Sequence, residues 1–268
     1  MNKYIEMIGI DDELKERLTA HYSKNKSKVE ALAKECKSKG FGVLNHRSHI
    51  ARLAVCTQYL MYTESRYDEL GIDKSILEAT AKDIGIWCKN NGNKGLKNHM
   101  WIQNHLKAEL FKLGRLQFQL FKCNNPTLPY SRLPFQKGDS LIYIHIPQGE
   151  KLRLSDCKDS IRQANEFFAR HFPNHKYKFY FCESWLLYDK NKEFMDAGSN
   201  IIQFQSLFDI NVSLPIDAQA IERIFGKRRL NKRNYPQNTR LQKSAKEYML
   251  GGGKLGIGIG TINKDEIE

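Results

Sequence analysis

The spacing of apolar residues changes at Gly114, and this change constrains the fold more than any other feature of the sequence. Before Gly114, apolar residues recur at helical spacing, as between Ile76 and Trp87, which is typical of helices with one buried face. After it, residues 115–120 alternate polar and apolar, which predicts a strand with one buried side. We therefore expect a helical N-terminal domain over residues 1–113 and a second domain over residues 114–268, in a chain of the α/β (α+β) class.

Local signals place the elements of both domains. Asp73 suits the N-cap of a helix, and the spacing of Trp101 to Leu113 predicts one more helix, ended by Gly114. In the second domain, residues 141–147 and 179–187 are rich in apolar side chains and predict central strands, with an amphipathic helix between them. The glycines of residues 251–260 follow a predicted helix, so they indicate a tight turn and a strand rather than a nucleotide-binding loop.

The charge balance points to an anionic partner. Lys and Arg number 43 against 30 Asp and Glu, a formal net charge of +13. A nucleic acid, a phosphorylated cofactor and an acidic surface all fit this excess. Residues 227–233 hold the densest basic run, which either binds an anion or is a solvated loop.

The cysteine pattern and the lengths of the apolar runs indicate the cellular compartment of the protein. The six cysteines stand singly, without a CxxC pair, which argues against a zinc clip or a disulfide framework. The apolar runs are far shorter than the ~20 residues of a membrane span, and the first ten residues lack a signal-peptide pattern. We therefore expect a cytoplasmic protein with no metal and no membrane partner.

Six stretches of the chain carry a resemblance to a known family, among them YIHIPQGEKLRL from Tyr143 and FYFCESWLLYD from Phe179. In order and spacing they resemble the acyltransferase family that joins a helical N-terminal domain to a GNAT-like C-terminal domain. The six stretches are residues 71–89, 113–121, 143–168, 179–189, 199–208 and 238–262.

The resemblance implies a mixed sheet flanked by helices, with acyl-CoA lying where two parallel strands splay apart. It assigns these strands to residues 141–147 and 179–187, with acetyl-CoA as the expected donor. It also implies that an amine attacks the thioester directly in a ternary complex. Backbone groups freed by the splay would bind the pantetheine arm, and an N–H near Ile146 would stabilise the thioester oxyanion.

The segment after the first splayed strand departs from the family pattern. Most GNAT proteins place a glycine-rich loop under the CoA pyrophosphate, whereas here Lys151 and Arg153 would supply positive charge. Asp156 and Asp159 in the following first helical turn would repel phosphate. The predicted cofactor-binding residues are Ile144, Ile146, Gln148, Gly149, Lys151, Arg153, Ser155, Ser184 and Trp185.

Three residues near the implied cleft are candidate acid–base groups. Glu183 is the first choice for the general base, because an aromatic strand buries a carboxylate only with a partner or a purpose; the alternative is that it faces solvent. His145 is a second candidate for the base, and the alternative is that it is an ordinary hydrogen-bonded core histidine. Tyr188 is the candidate acid that protonates the leaving thiolate. Cys182 ranks last, because nothing nearby in sequence lowers its pKa.

Two classes of function stay open at this point. The first is an acyl-CoA-dependent N-acyltransferase with an amine-bearing acceptor. In one version of this hypothesis, the acceptor also carries negative charge. The second is a catalytically inactive GNAT-like scaffold whose basic surface binds nucleic acid or another anionic macromolecule.

Overall fold

A computed structural model describes residues 1–267, and the chain divides into two compact units. Unit 1 comprises residues 1–119 together with the short segment 146–150. Unit 2 comprises residues 120–145 and the described residues from 151 onward. A functional domain boundary at Gly114 stays a prediction.

Unit 1 consists mainly of α-helices, and three of the helices described begin at a polar side-chain cap. Asp11 accepts a hydrogen bond from the backbone N–H of Leu14 at 2.9 Å, and Asp73 accepts one from Ser75 at 2.7 Å. Each cap satisfies a backbone donor that helical bonding leaves unpaired, so the predicted N-cap Asp73 is confirmed. The helices are α1 (Asn2–Met7), α2 (Asp12–Lys39), α3 (His49–Glu69), α4 (Lys74–Asn90) and α5 (His99–Leu106).

The helix predicted from Trp101 to Leu113 is wrong in its second half. Helix α5 ends at Leu106, and the chain then forms a hairpin of β1 (Leu110–Leu113) and β2 (Leu116–Lys122). Gly114 does not end a helix. Its φ of +61° places it in the two-residue turn of this hairpin, where glycine is favoured. A short apolar run fits both the helical and the strand period, so the spacing alone led to the wrong assignment.

The strands form one mixed sheet of six within residues 1–267, which confirms the predicted fold class. After the hairpin come β3 (Ser140–His145), β4 (Phe179–Ser184), β5 (Asp209–Leu214) and β6 (Ile257–Asn263), and the order in the sheet is β1-β2-β3-β4-β6-β5. Strands β3 and β4 are parallel, whereas β6 pairs antiparallel with both β4 and β5. The helices of unit 2 are α6 (Leu154–His171), α7 (Asn200–Gln205), α8 (Ala218–Phe225) and α9 (Arg240–Leu250).

Both central strands end earlier than the sequence predicts. Strand β3 stops at His145, two residues before Pro147, which has no N–H to pair. Strand β4 stops at Ser184, whose side-chain oxygen accepts a hydrogen bond from the backbone N–H of Leu186 at 3.2 Å. This cap turns Trp185–Leu187 into a short 3-10 helix instead of a strand.

Glycines in β6 and directly before it allow other backbone segments to lie close against them. A Cβ atom added at Gly258 would stand 2.0 Å from the carbonyl oxygen of Leu187, and one at Gly256 would stand 2.2 Å from that of Leu214. Only glycine permits so close an approach of two backbones. Helix α9 precedes these glycines through a turn, so the predicted turn and strand are confirmed and a phosphate loop is not formed.

We predict that Gly258→Ala destabilises the protein by about 1–3 kcal/mol or more, because backbone atoms would have to move to admit the methyl group. Gly198→Ala is the matched control, since Gly198 has neither a positive φ nor a neighbour within 4 Å of an added Cβ. The control should change stability by less than about 1 kcal/mol. Urea unfolding midpoints measure both effects, and equal midpoints for the two variants would contradict the close approach at Gly258.

Candidate active site

The parallel pairing of β3 and β4 is confined to the first part of both strands. The ladder joins Ile142 to Tyr180 and Tyr143 to Phe181. Strand β4 nevertheless stays paired with β6 as far as Ser184. Beyond Phe181, β4 is therefore no longer paired on the edge that faces β3. The two strands separate at their carboxyl ends.

A tyrosine hydroxyl lies at this separation. The Tyr143 hydroxyl donates a long hydrogen bond, 3.4 Å, to the backbone carbonyl of Glu183. The Tyr143 ring packs edge-on against Phe181, with ring centroids 4.8 Å apart, and stacks on His145 at 4.1 Å. Aromatic packing thus fixes Tyr143 and His145 beside the point where pairing stops.

Glu183 occupies a half-buried position on β4. Within residues 1–267 its carboxylate forms no ion pair, and burial raises its pKa above the ordinary 4.5. A half-buried carboxylate with a raised pKa and no cation partner is a good candidate for a general base. Its neighbour Cys182 is fully buried, and burial raises the pKa of the thiol, so it is a structural residue and not a reactive thiolate.

The other candidate catalytic groups differ in exposure. His145 is half-buried, so its ring is not enclosed in the core. Tyr188 is only 6% exposed, and burial, with a smaller contribution from Asp189, raises its pKa. Its backbone carbonyl accepts a hydrogen bond from the side-chain amide of Gln205 at 3.0 Å, which fixes the backbone at Tyr188. The phenol is therefore protonated at neutral pH and able to donate a proton.

Two predicted cofactor-binding residues on the β4 side already have partners within unit 2. The Ser184 side chain caps the 3-10 helix, as described above. The backbone N–H of Trp185 donates to the side-chain oxygen of Gln219 at 2.6 Å, and its indole packs against the apolar cluster of α8 and α9. The assignment of Ser184 and Trp185 to cofactor binding stays a prediction.

The residues predicted to bind the pyrophosphate lie at or just before the start of α6. Arg153 is the N-cap residue, and its guanidinium lies 3.8 Å from the Asp156 carboxylate. Asp159 forms an ion pair with Arg162. These cations offset the acidic groups that the sequence suggested would repel phosphate. Lys151 and Ser155 are exposed beside this turn, as an anion site requires.

The predicted cofactor residues Ile144, Ile146, Gln148 and Gly149 divide between the two units. Ile144, on β3 in unit 2, is fully buried, whereas Ile146 lies beyond the end of β3. Gln148 accepts a hydrogen bond from Asn90 at 3.0 Å within unit 1. Gly149 has a φ of +101°, a conformation that suits glycine.

Segment 146–150 also borders a cavity of about 530 Å³ in unit 1 that sequence reasoning missed. Its wall includes Pro147 and Gln148 from this segment and Asp83 from α4. Asp83 is only 4% exposed, although α4 as a whole reads as an ordinary amphipathic helix. The one available signal was an acidic residue directly beside the apolar face that contains Ile84.

The basic run of residues 227–233 is partly bonded within unit 2. Arg228 forms an ion pair with Asp217 at 2.5 Å, and Lys232 donates to the carbonyl of Met249 at 3.0 Å. Lys227, Arg229 and Arg233 are exposed. A nucleic acid or another anionic macromolecule as their partner stays a prediction.

No group of three or more His, Cys, Asp or Glu side chains within residues 1–267 is arranged to hold a metal ion. None of the helices in that range combines the length and apolar character needed to cross a membrane.

Both parts of the chain match models of known protein families. Residues 1–108 match the N-acyltransferase N-terminal domain, and residues 110–262 match the GNAT-like C-terminal domain. The fold and these matches define the class of protein as an acyltransferase. The chain belongs to the N-acyltransferase family that combines these two domains, as the sequence resemblance predicted.

Several solved structures share this fold over nearly the whole chain. An acyltransferase in complex with CoA and 10C-teicoplanin is 19% identical, with a TM-score of 0.78. A mutant acyltransferase in complex with octanoyl-CoA is 18% identical, with a TM-score of 0.77. Each comparison covers 98% of this chain and 87% of the other. At these identities the similarity establishes the fold. No curated protein matches the chain in sequence.

We predict that Glu183→Gln stabilises the protein at neutral pH. Burial raises the pKa of Glu183 in the folded state, so the protonated form is favoured by folding, and stability is lost as pH rises through that raised pKa. A neutral glutamine does not incur this loss. The advantage of the variant should shrink as pH falls and vanish below the ordinary pKa of 4.5. Urea unfolding at several pH values measures it, with the exposed Glu166→Gln as control, and a pH-independent difference would contradict it.

Proposed function

We propose that this acyltransferase moves an acyl group from an acyl-CoA thioester to an amine by direct attack in a ternary complex. The observation that carries the proposal is the loss of β3–β4 pairing beyond Tyr143 and Phe181. Peptide groups outside the ladder need other partners, and the amide-rich pantetheine arm of CoA supplies both donors and acceptors. The solved relatives that bind CoA, octanoyl-CoA or decanoyl-CoA support this choice of donor.

The proposed chemistry uses groups near the ends of β3 and β4. The backbone N–H of Ile146, beyond the last paired residue of β3, would donate to the thioester oxygen as negative charge develops. Glu183 would accept the proton of the attacking amine, with His145 as the alternative base. The tetrahedral intermediate then releases the CoA thiolate, and Tyr188 would protonate the sulfur.

The phosphate groups of CoA are proposed to bind at the start of α6. Lys151 and Arg153 would pair with the pyrophosphate, and Ser155 would donate a hydrogen bond to it. This arrangement uses part of the +13 net charge. Acetyl-CoA is the expected donor, although the longer acyl chains bound by the solved relatives make chain length an open variable of the experiment.

A cytoplasmic location is proposed on the state of the cysteines. All six thiols lie within the described residues and are buried and unpaired. Free thiols of this kind are typical of reducing compartments.

We predict that acyl-CoA raises the melting temperature of the wild-type protein by mass action. Lys151→Gln combined with Arg153→Gln should raise KM for acyl-CoA about tenfold and leave kcat within about twofold, because these groups bind but do not react. Thermal shifts and thiol release are measured with acetyl-, octanoyl- and decanoyl-CoA. Lys158→Gln combined with Arg170→Gln on exposed positions of the same helix is the control. The absence of any shift at millimolar ligand would contradict acyl-CoA binding.

We predict that Glu183→Gln lowers kcat by about 10²–10⁴-fold, the usual contribution of a general base. The wild-type rate should fall as pH drops through the raised pKa of Glu183, because only the carboxylate accepts a proton. The variant should lose this acidic limb, whereas His145→Gln should keep it. If His145→Gln instead removes the limb and Glu183→Gln keeps it, the base is His145. Glu166→Gln should leave the whole profile unchanged.

A further inference from the structure

The unit 1 cavity lies between helix α4, the loop after α1 and segment 146–150. Its volume of about 530 Å³ suits a small metabolite. Ile10, Ile86 and Pro147 give it apolar surface. Six charged residues also line it: Asp11, Lys82, Asp83, Lys89, Lys112 and Glu150.

Asp83 is the most deeply buried of these charged residues, and its side-chain hydrogen bonds all reach the same carboxylate oxygen. The indole N–H groups of Trp87 and Trp101 donate to Oδ2 at 3.0 and 3.2 Å, and Nε2 of His105 lies 3.0 Å from the same oxygen. No donor within residues 1–267 contacts Oδ1. The carboxylate therefore has one oxygen saturated with donors and one with none, on a residue that lines the cavity.

The carboxylate is charged in this position. Burial alone would raise the pKa of Asp83, but the hydrogen bonds from His105 and the two indoles outweigh burial and hold the pKa below its ordinary value. Oδ1 has no donor within residues 1–267 and is not fully enclosed, so water or a ligand in the cavity can reach it. Oδ1 is therefore suited to accept hydrogen bonds from an ammonium or amino group.

Most of the other charges around the cavity already have partners. Asp11 caps α2 through Leu14 and also accepts a hydrogen bond from Asn93. Lys112 and Glu150 form an ion pair at 2.7 Å. These three residues are thus satisfied within unit 1.

Lys82 and Lys89 differ from the other charged residues. Both are exposed, and neither forms an ion pair with any residue of the described chain. They are seven positions apart on α4, so they lie on one face of the helix. Lys82 cannot neutralise its sequence neighbour Asp83, because adjacent helical side chains point in different directions. The cavity wall thus contains a carboxylate with one oxygen open to a donor, together with two exposed lysines that form no ion pair within residues 1–267.

We propose that the unit 1 cavity binds the acyl acceptor, and that this acceptor is a small amine which also carries an anionic group. Its amino group donates to Oδ1 of Asp83, and its phosphate or carboxylate pairs with Lys82 and Lys89. The inference rests on the proposed function, which requires an amine acceptor. Pro147, in the cavity wall, directly follows Ile146, whose N–H is the proposed oxyanion donor, so the wall continues into the segment assigned to the thioester.

Binding of matched probes in the absence of acyl-CoA tests the cavity directly. The zwitterionic probes are glucosamine 6-phosphate and O-phosphoethanolamine, and their counterparts without the amine are glucose 6-phosphate and ethyl phosphate. Calorimetry should show binding of at least one zwitterion, at least tenfold tighter than its counterpart. Equal binding of a zwitterion and its counterpart, or no binding of either zwitterion, would overturn the proposal.

Variants assign the binding to the named side chains. Asp83→Asn keeps an oxygen for the indoles but removes the charge, so it should weaken zwitterion binding at least tenfold. Lys82→Gln combined with Lys89→Gln should do the same, and both positions are exposed, so this variant tests the proposal even if Asp83→Asn fails to fold. Asp68→Asn, at an exposed position of unit 1, is the control. Unchanged affinity in the lysine variant would overturn the assignment.

Separate readouts distinguish this inference from the proposed function. Thermal shift by CoA and slow thioester hydrolysis without acceptor test acyl-CoA binding separately from acceptor binding, and the control Asp68→Asn should leave both unchanged. In turnover with a zwitterion as acceptor, the lysine variant should raise KM for the acceptor and not for acyl-CoA. If the wild type binds the zwitterion but no CoA compound, the proposed function fails, and the cavity is a zwitterion site but not an acyl-acceptor site.

Discussion

The structure of the candidate site depends on how β4 is paired along its two edges. On one edge β4 pairs with β6 as far as Ser184, and on the other it pairs with β3 only through Tyr180 and Phe181. The antiparallel pairing with β6 holds β4 in place, so β3 can leave it without disordering the strand. Strand β4 thus keeps continuous pairing on its β6 edge where the pairing on its β3 edge is interrupted.

The glycines of β6 make this arrangement possible. Because Gly258 has no side chain, the carbonyl of Leu187 lies against the strand, and the chain turns sharply after Ser184. Tyr188 is positioned by the same turn and is buried against Gly256, while its carbonyl bonds to Gln205. A glycine-rich stretch that superficially suggests phosphate binding thus serves backbone packing, and it contributes to the site only through the residues it positions.

The sequence allowed the fold class and most helices to be predicted, because these depend on local periodicity and capping. Asp73 caps α4 as expected, and the mixed sheet appears where alternating and apolar runs predicted it. The predictions fail where tertiary contacts determine the local structure. Helix α5 ends before residues 107–113, which lead into a hairpin, and β3 and β4 stop at His145 and Ser184. The burial of Asp83 and its three donors come from different parts of the chain, so no local pattern reveals the cavity they border.

Asp83 and Glu183 show how one fold shifts the pKa values of two carboxyl groups in opposite directions. Three donors contact one oxygen of Asp83, so it stays charged although it is buried more deeply than Glu183. Within residues 1–267 no such donor contacts the Glu183 carboxylate, so burial raises its pKa. A permanently charged carboxylate binds an amine but takes its proton poorly, whereas one with a raised pKa is a better proton acceptor. The two environments therefore differ in kind: that of Asp83 suits the binding of a cationic group, and that of Glu183 suits the acceptance of a proton.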